Sequence, residues 1–104
     1  MSFYPLENTS RISEGYSRQF IVDGEDMLLV HSGGITRLIS TSCPHDSYSL
    51  KKAKLAKGCI QCPKHRICFS LENGEALGGE VVAGVPPLKQ YEVVQQGDEI
   101  GIHI

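Results

Sequence analysis

Two short clamps constrain this chain more than anything else in it: Cys43-Pro44-His45 and, sixteen residues further on, Cys62-Pro63-Lys64-His65. Each clamp joins one thiol to one imidazole. If a hairpin-like excursion brings the two loops together, four donors converge. Thiolate suits iron–sulfur clusters and zinc, and neutral imidazole suits both iron and zinc. Each cysteine is followed by proline, which fixes its own φ and removes an N–H, stiffening the loop beside the donor. Two chemistries fit this set. Two cysteines and two histidines make a closed four-coordinate zinc site. A binuclear iron–sulfur cluster also needs four protein ligands, two per iron. Donor types alone leave both open.

The rest of the chain reads as strands and turns. Ser17 to Val22 alternates and ends at Asp23-Gly24, a strong hairpin signal; Met27 to Val30 and Ile35 to Ile39 follow, separated by Ser32-Gly33-Gly34. Ile67 to Leu71 reads as a strand turned by Asn73-Gly74, and Tyr91 to Gln95 forms a last hairpin with Glu99 to Ile104 across Gly97-Asp98. Met1 to Arg11, with Pro5, reads as an irregular lead-in, and Leu77 to Val85 as a Gly-rich connection before Pro86-Pro87. Short strands with Gly turns at this spacing predict an all-β antiparallel sandwich or barrel. With 104 residues, the expectation is one domain over 1–104. Ser49 to Lys57 resists this pattern, because it is rich in helix formers and Gly58 suits a helix C-cap.

With these residues set out, the chain resembles the Rieske [2Fe–2S] proteins. CPH and CPKH match the family's C-x-H…C-x-x-H signature. Phe69, four residues after His65, matches its CPxHxxxF frame, Leu71-Glu72-Asn73-Gly74-Glu75 the turn that follows, and Pro87-Leu88-Lys89-Gln90-Tyr91 its lead into the last strands. The resemblance implies a Rieske-type fold with a small cluster-binding subdomain at about 43–69. It implies one [2Fe–2S] cluster, with Cys43 and Cys62 on one iron and His45 and His65 on the other. It makes the 49–57 segment extended rather than helical, and Pro86-Pro87 part of a loop covering the cluster. Rieske proteins of respiratory complexes carry a disulfide between the two loops. Its positions here are Tyr48 and Lys64, so that disulfide cannot form, and the chain is similar to the soluble, lower-potential ferredoxins of multicomponent oxygenases. Ser47 and Arg66 stand where that family often has glycine.

The implied function is one-electron transfer from an NAD(P)H-dependent flavin reductase to a terminal oxygenase, by a monomer without a substrate pocket or turnover of its own. A Rieske small subunit of a larger enzyme, such as an assimilatory nitrite reductase, and a zinc-stapled binding module are the alternatives. A net charge of −2 argues against nucleic acid. No run of 18 apolar residues reads as a membrane span, and no signal peptide is visible, which points to the reducing cytoplasm. Charge is segregated: residues 43–69 hold six basic side chains and one acid, the remainder four basic and eleven acidic. Cys59 and Cys68 fit no clamp and read as small buried hydrophobes; His31 and His103 read as surface or edge residues.

Overall fold

The computed structural model describes residues 2–43, 49–63, 67–78 and 85–103. Within them the chain forms β1 (Phe3–Asn8), a 3₁₀ turn (Thr9–Arg11), β2 (Ser17–Val22), β3 (Glu25–Ser32), β4 (Ile35–Ser40), β5 (Lys54–Ala56), β6 (Cys59–Gln61), β7 (Cys68–Ser70), β8 (Ala76–Gly78), β9 (Gln90–Tyr91), β10 (Val94–Gln96) and β11 (Glu99–His103). They make three antiparallel sheets, ordered β1-β11-β10, β2-β3-β4-β9 and β5-β6-β7-β8. The expected all-β antiparallel class is what the chain adopts. Among the described residues no helix is long and apolar enough to cross a membrane.

The β2-β3-β4-β9 sheet lies between two cores. Side chains alternate across a strand, and on β3 and β4 both faces are covered. Leu28, Val30 and Ile39 join one buried cluster with Ile60 and Phe69 of the β5–β8 sheet. Met27, Leu29 and Leu38 join a second with Ile100 and Ile102 of β11. That double coverage explains the unbroken Met27–Val30 run, the pattern of a strand buried on both sides.

Several expectations are corrected. The N-terminal segment is not irregular: β1 pairs with β11, with a register shift between Pro5 and Glu7. Pro5 is tolerated because β1 is an edge strand. Gly101 lies beneath it, where a β carbon would overlap the Tyr4 carbonyl oxygen. The stretch expected as one strand from Tyr91 to Gln95 is two. β9 pairs with β4, the chain leaves that sheet after Tyr91, and β10 pairs with β11. Ala76–Gly78, read as loop, adds the edge strand β8.

The helix-forming segment is not helical, and only its Lys54–Ala56 part is a strand. Leu50 to Ala53 makes a turn, Ala53 N donating to the Leu50 carbonyl at 3.1 Å, and β5 pairs with β6. Lys57 and Gly58 have φ of +53° and +77°, so Gly58 serves a two-residue hairpin turn instead of a helix cap. Tertiary pairing overrides a propensity worth only tenths of a kcal/mol per residue, roughly.

Candidate metal centre

Each clamp begins where a strand ends, and hydrogen bonds tie its base. The first leaves β4 through Thr41 and Ser42. The Thr41 hydroxyl donates to Asp26 Oδ1 at 2.8 Å, Leu50 N donates to the Thr41 carbonyl at 2.7 Å, and Ser42 bridges Ser49. These contacts bring residues 42 and 49 together, so the intervening loop starts and returns at one point. The second clamp leaves β6 at Gln61, and Cys62 N donates to the Ile67 carbonyl at 2.9 Å, joining the two ends of its loop in the same way.

Of the four expected ligands, Cys43 and Cys62 lie among the described residues. His45 and His65 lie outside them, as do Ser47, Tyr48, Lys64 and Arg66. Cys43 is 1% exposed and Cys62 0%, and both belong to the cluster that contains Leu28, Ile39, Leu50, Ile60, Ile67 and Phe69. Nineteen positions apart in sequence, the two thiols are therefore brought into one apolar body. Burial of this kind removes water and lowers the local dielectric, which in a metal site shifts the potential. Two buried thiols, each at the pinned base of a loop carrying one imidazole, form a donor set that suits an iron–sulfur centre with mixed ligands. A cavity of about 260 Å³ opens beside Cys62, lined by Lys52, Lys54, Gln61, Cys62 and Pro63.

The downstream frame reaches the same core. Phe69 and Leu71 are fully buried there, Leu88 is buried, and Val85 packs against the cluster, while Pro86 and Pro87 are exposed. The 79–84 stretch that precedes Pro86-Pro87 lies outside the described residues. Gly74 fastens the frame: its N–H donates to the Ser70 carbonyl at 2.7 Å, and its carbonyl accepts from Leu88 N at 2.7 Å.

Cys59 and Cys68 are not the buried hydrophobes expected. Register pairs Cys59 with Ser70 and Gln61 with Cys68, while Ile60 and Phe69 occupy the opposite, buried face. The two thiols thus lie diagonally on the outer face of the β5–β8 sheet, each part-exposed. Burial, and then the neighbouring Cys59 sulfur, push the Cys68 thiol above the usual cysteine range. His31 is half-buried on β3, its Nδ1 2.7 Å from Thr36 Oγ1. His103 is exposed at the end of β11, edge-on to the Phe3 ring. His103 fits the surface position expected, whereas His31 is half-buried on a central strand of its sheet.

Two features escaped sequence reading. The Thr41–Asp26 and Ser42–Ser49 ties are ordinary Ser, Thr and Asp residues whose only signal is proximity to the clamp. A larger recess, about 600 Å³, lies on the other core's side, lined in part by Asp23, Glu25, Tyr91, Glu92 and His103. It takes in neither clamp, and no pocket of this kind was expected.

Comparison with known proteins places this geometry. A family model described as the Rieske [2Fe–2S] domain matches residues 2–92. Apoptosis-inducing factor 3 of Mus musculus is 26% identical over 91 residues, 88% of this chain and 14% of that protein. The chain thus spans about one seventh of that curated relative. Among solved structures, the ferredoxin of carbazole 1,9a-dioxygenase from Nocardioides aromaticivorans IC177 superimposes with a TM-score of 0.78 at 25% identity, covering 97% of this chain and 96% of that one. A ferredoxin chain in a complex of reduced oxygenase and oxidized ferredoxin in carbazole 1,9a-dioxygenase shares the fold, with a TM-score of 0.79 at 21% identity over 93% of this chain and 97% of that one.

Proposed function

The chain belongs to the Rieske [2Fe–2S] domain family, and we propose that it is a one-electron carrier, itself without turnover, that feeds a terminal oxygenase. The observation that carries this reading is the burial of Cys43 and Cys62 in one apolar cluster, each at the pinned base of a loop that contains a histidine. Cys43 and Cys62 would hold one iron, His45 and His65 the other. When bound, such a centre takes up and gives back one electron.

The chain's own residues do the rest. Leu28, Ile39, Leu50, Ile60, Ile67 and Phe69 exclude water from the sulfur side. The Thr41 and Leu50 hydrogen bonds, and the Cys62–Ile67 bond, hold the loop bases in place, so the donors need little rearrangement when charge changes. Tyr48 and Lys64 stand at the loop-disulfide positions of the high-potential members, which supports a place in the lower part of the Rieske range. Imidazole ligation supports a value above all-cysteine ferredoxins.

An NAD(P)H-dependent flavin reductase is the donor we assign. The oxygenase acceptor is supported by the structural neighbour found in complex with an oxygenase. Docking would be brief and the interface small. We read residues 1–104 as one domain, monomeric and cytoplasmic, with 43–69 as its cluster-binding part. The 14% coverage of the curated relative favours one second reading, a Rieske module fixed within a larger oxidoreductase. Co-purification of a large partner in constant ratio would select it.

The test is anaerobic purification with iron, zinc and sulfide analysis, a visible spectrum, and EPR after dithionite reduction. Two irons and two sulfides per chain, with an average g below that of all-cysteine clusters, are expected. A colourless protein with one zinc would replace electron transfer with a structural or binding role.

A further inference from the structure

The excursion between the two clamps is rich in lysine. Lys51, Lys52, Lys54 and Lys57 are all exposed. Lys54 lies on the outer face of the β5–β8 sheet, paired across the strand with Gln61, the residue before Cys62. Lys52 and Lys54 line the cavity at Cys62. Among the described residues, ion pairs join Arg18 to Glu7 and Lys89 to Glu25, and none involves these four lysines. Among the described residues their charge is left to the solvent.

Most of the described acids lie elsewhere, although Glu72 and Glu75 sit between β7 and β8 of the same sheet and Glu14 binds the Gly33 turn beside Lys57 and Gly58. Glu7, Asp98 and Glu99 belong to the layer on the far side of the central sheet, while Asp23, Glu25 and Glu92 line the recess on that side. The chain carries a formal net charge of −2, so as a whole it repels anions. Its lysine-bearing excursion nevertheless attracts them.

We propose that Lys51, Lys52, Lys54 and Lys57 form a docking surface for the carboxylate-rich face of a protein that exchanges electrons with this chain at the Cys62 side. This rests on the electron-carrier reading and adds the sign and position of the contact. Exposed lysines keep most of their hydration and separate readily, which suits a partner that must dock, exchange one electron and leave. Such a surface steers encounter more than it adds affinity. No bond forms in the exchange: one electron leaves the reduced protein and reduces the acceptor.

Two arms test it. In the first, the intact protein is passed over immobilised poly-L-glutamate at low ionic strength, beside the triple variant K51E/K52E/K54E with a matching circular-dichroism melt. Retention of the native chain, lost in the variant and in 0.5 M salt, is expected. This arm needs no electron transfer, so it judges the surface even if the carrier reading fails. Elution of the native chain in the void, or equal retention of both proteins, overturns the proposal.

In the second arm, the reduced protein is mixed in stopped flow with anionic Fe(III)-EDTA or cationic Co(III) hexammine. The Fe(III)-EDTA rate is expected to fall about 3–10-fold as ionic strength rises from ~0.01 to ~0.5 M, because the Debye length shrinks from ~30 Å to a few ångströms. The triple variant should reverse that slope. A rate with Fe(III)-EDTA that rises with salt in the native chain means that the overall −2 charge governs, and overturns the placement of the surface at the electron's exit.

Discussion

Replacing Gly33 by alanine should damage the site from a distance, and Gly34 supplies the control. Both glycines turn β3 into β4 at positive φ, +60° and +79°. An alanine at either position meets the left-handed penalty, about 1–2 kcal/mol, partly offset by the lower entropy of its unfolded chain, about 0.4–1 kcal/mol. Here the equivalence ends. A β carbon on Gly34 meets nothing within 4 Å, whereas one on Gly33 would lie 2.7 Å from Gly58 N, 2.9 Å from Gly58 Cα and 3.1 Å from the Lys57 carbonyl carbon. These are backbone atoms of the β5–β6 turn and cannot swing aside.

Gly58 N donates to Ser32 Oγ at 3.1 Å, Ser32 Oγ donates to Glu14 Oε2 at 2.7 Å, and Gly33 N donates to Glu14 Oε1 at 2.8 Å. Pushing the turns apart breaks that chain of bonds. Overpacking adds about 1–3 kcal/mol, and a buried N–H left unpaired adds about 1–3 kcal/mol. Gly34→Ala should therefore lose about 1 kcal/mol, and Gly33→Ala about 3–7 kcal/mol. Because the displaced hairpin leads directly to Cys62, iron content should fall only in Gly33→Ala. Urea unfolding followed by circular dichroism, with iron analysis of the folded fraction, measures both. Equal destabilisation of the two variants, within about 0.5 kcal/mol, would refute the close approach as the cause.

Tyr16→Phe removes a 2.6 Å hydrogen bond to Glu7 Oε2 and should cost about 1.5–3 kcal/mol at pH 7, a range typical of bonds to charged groups. Tyr16 is the chief cause, ahead of Asn8 N, holding the Glu7 carboxyl below its ordinary 4.5. The lowered value stabilises the fold above pH 4.5 and is lost as pH falls through it, so the gap to the variant should close in acid; urea unfolding at pH 7 and 3.5 decides, and a constant gap counts against it. Cys59→Ser/Cys68→Ser should keep iron content and visible spectrum unchanged, because both thiols face away from the core; loss of colour would enlarge the ligand set. Phe69→Ala should destabilise by about 3–5 kcal/mol and lower iron content, since Phe69 is fully buried beside Cys43 and Cys62; unchanged urea midpoints would refute it. His65→Cys, if loaded, should lower the potential in protein-film voltammetry, because thiolate carries a charge that imidazole lacks; a rise would remove His65 from the ligand set.

Two of the expected site residues were legible in the sequence where much of the supporting sheet was not. Cys43 and Cys62 announce themselves by type and spacing, and their shared burial follows. The hairpins at Asp23-Gly24 and Gly97-Asp98 were also readable, because turn chemistry acts over two residues. What could not be read locally depends on distant partners. Phe3–Asn8 has no clean alternation and contains proline; only β11, at the opposite end of the chain, makes it a strand. Tyr91 and Val94 look like one strand until β4 and β11 each take a part. Lys54–Ala56 favours helix by propensity and becomes a strand because β6 pairs with it. Cys59 and Cys68 were misread because a thiol's residue type says nothing about which face of a three-residue strand it occupies.

The central sheet supplies a reason for the division between support and site. Along β3, Leu28 and Val30 face the clamps, while Met27 and Leu29 face the other core. The two cores therefore meet through the backbone of β3 and β4, whose hydrogen-bond ladder runs without a break from Met27–Ser40 to Ser32–Ile35. A ladder of this kind fixes the two layers against each other more stiffly than interdigitated side chains alone, since strand register moves in whole residues and a one-residue slip would exchange the two faces. The clamp layer can thus differ in loop and surface residues, as at Ser47 and Arg66 or along the lysine excursion, without repacking the second core. The same separation sorts charge in part: Lys51, Lys52, Lys54 and Lys57 sit on the layer that carries Cys62, which also holds Glu72 and Glu75, while Glu7, Asp23, Glu25, Glu92, Asp98 and Glu99 lie on the layers behind it. For a protein read as an electron carrier, the backbone ladder then holds Leu28, Val30 and Ile39 against the cluster of buried side chains that contains Cys43 and Cys62.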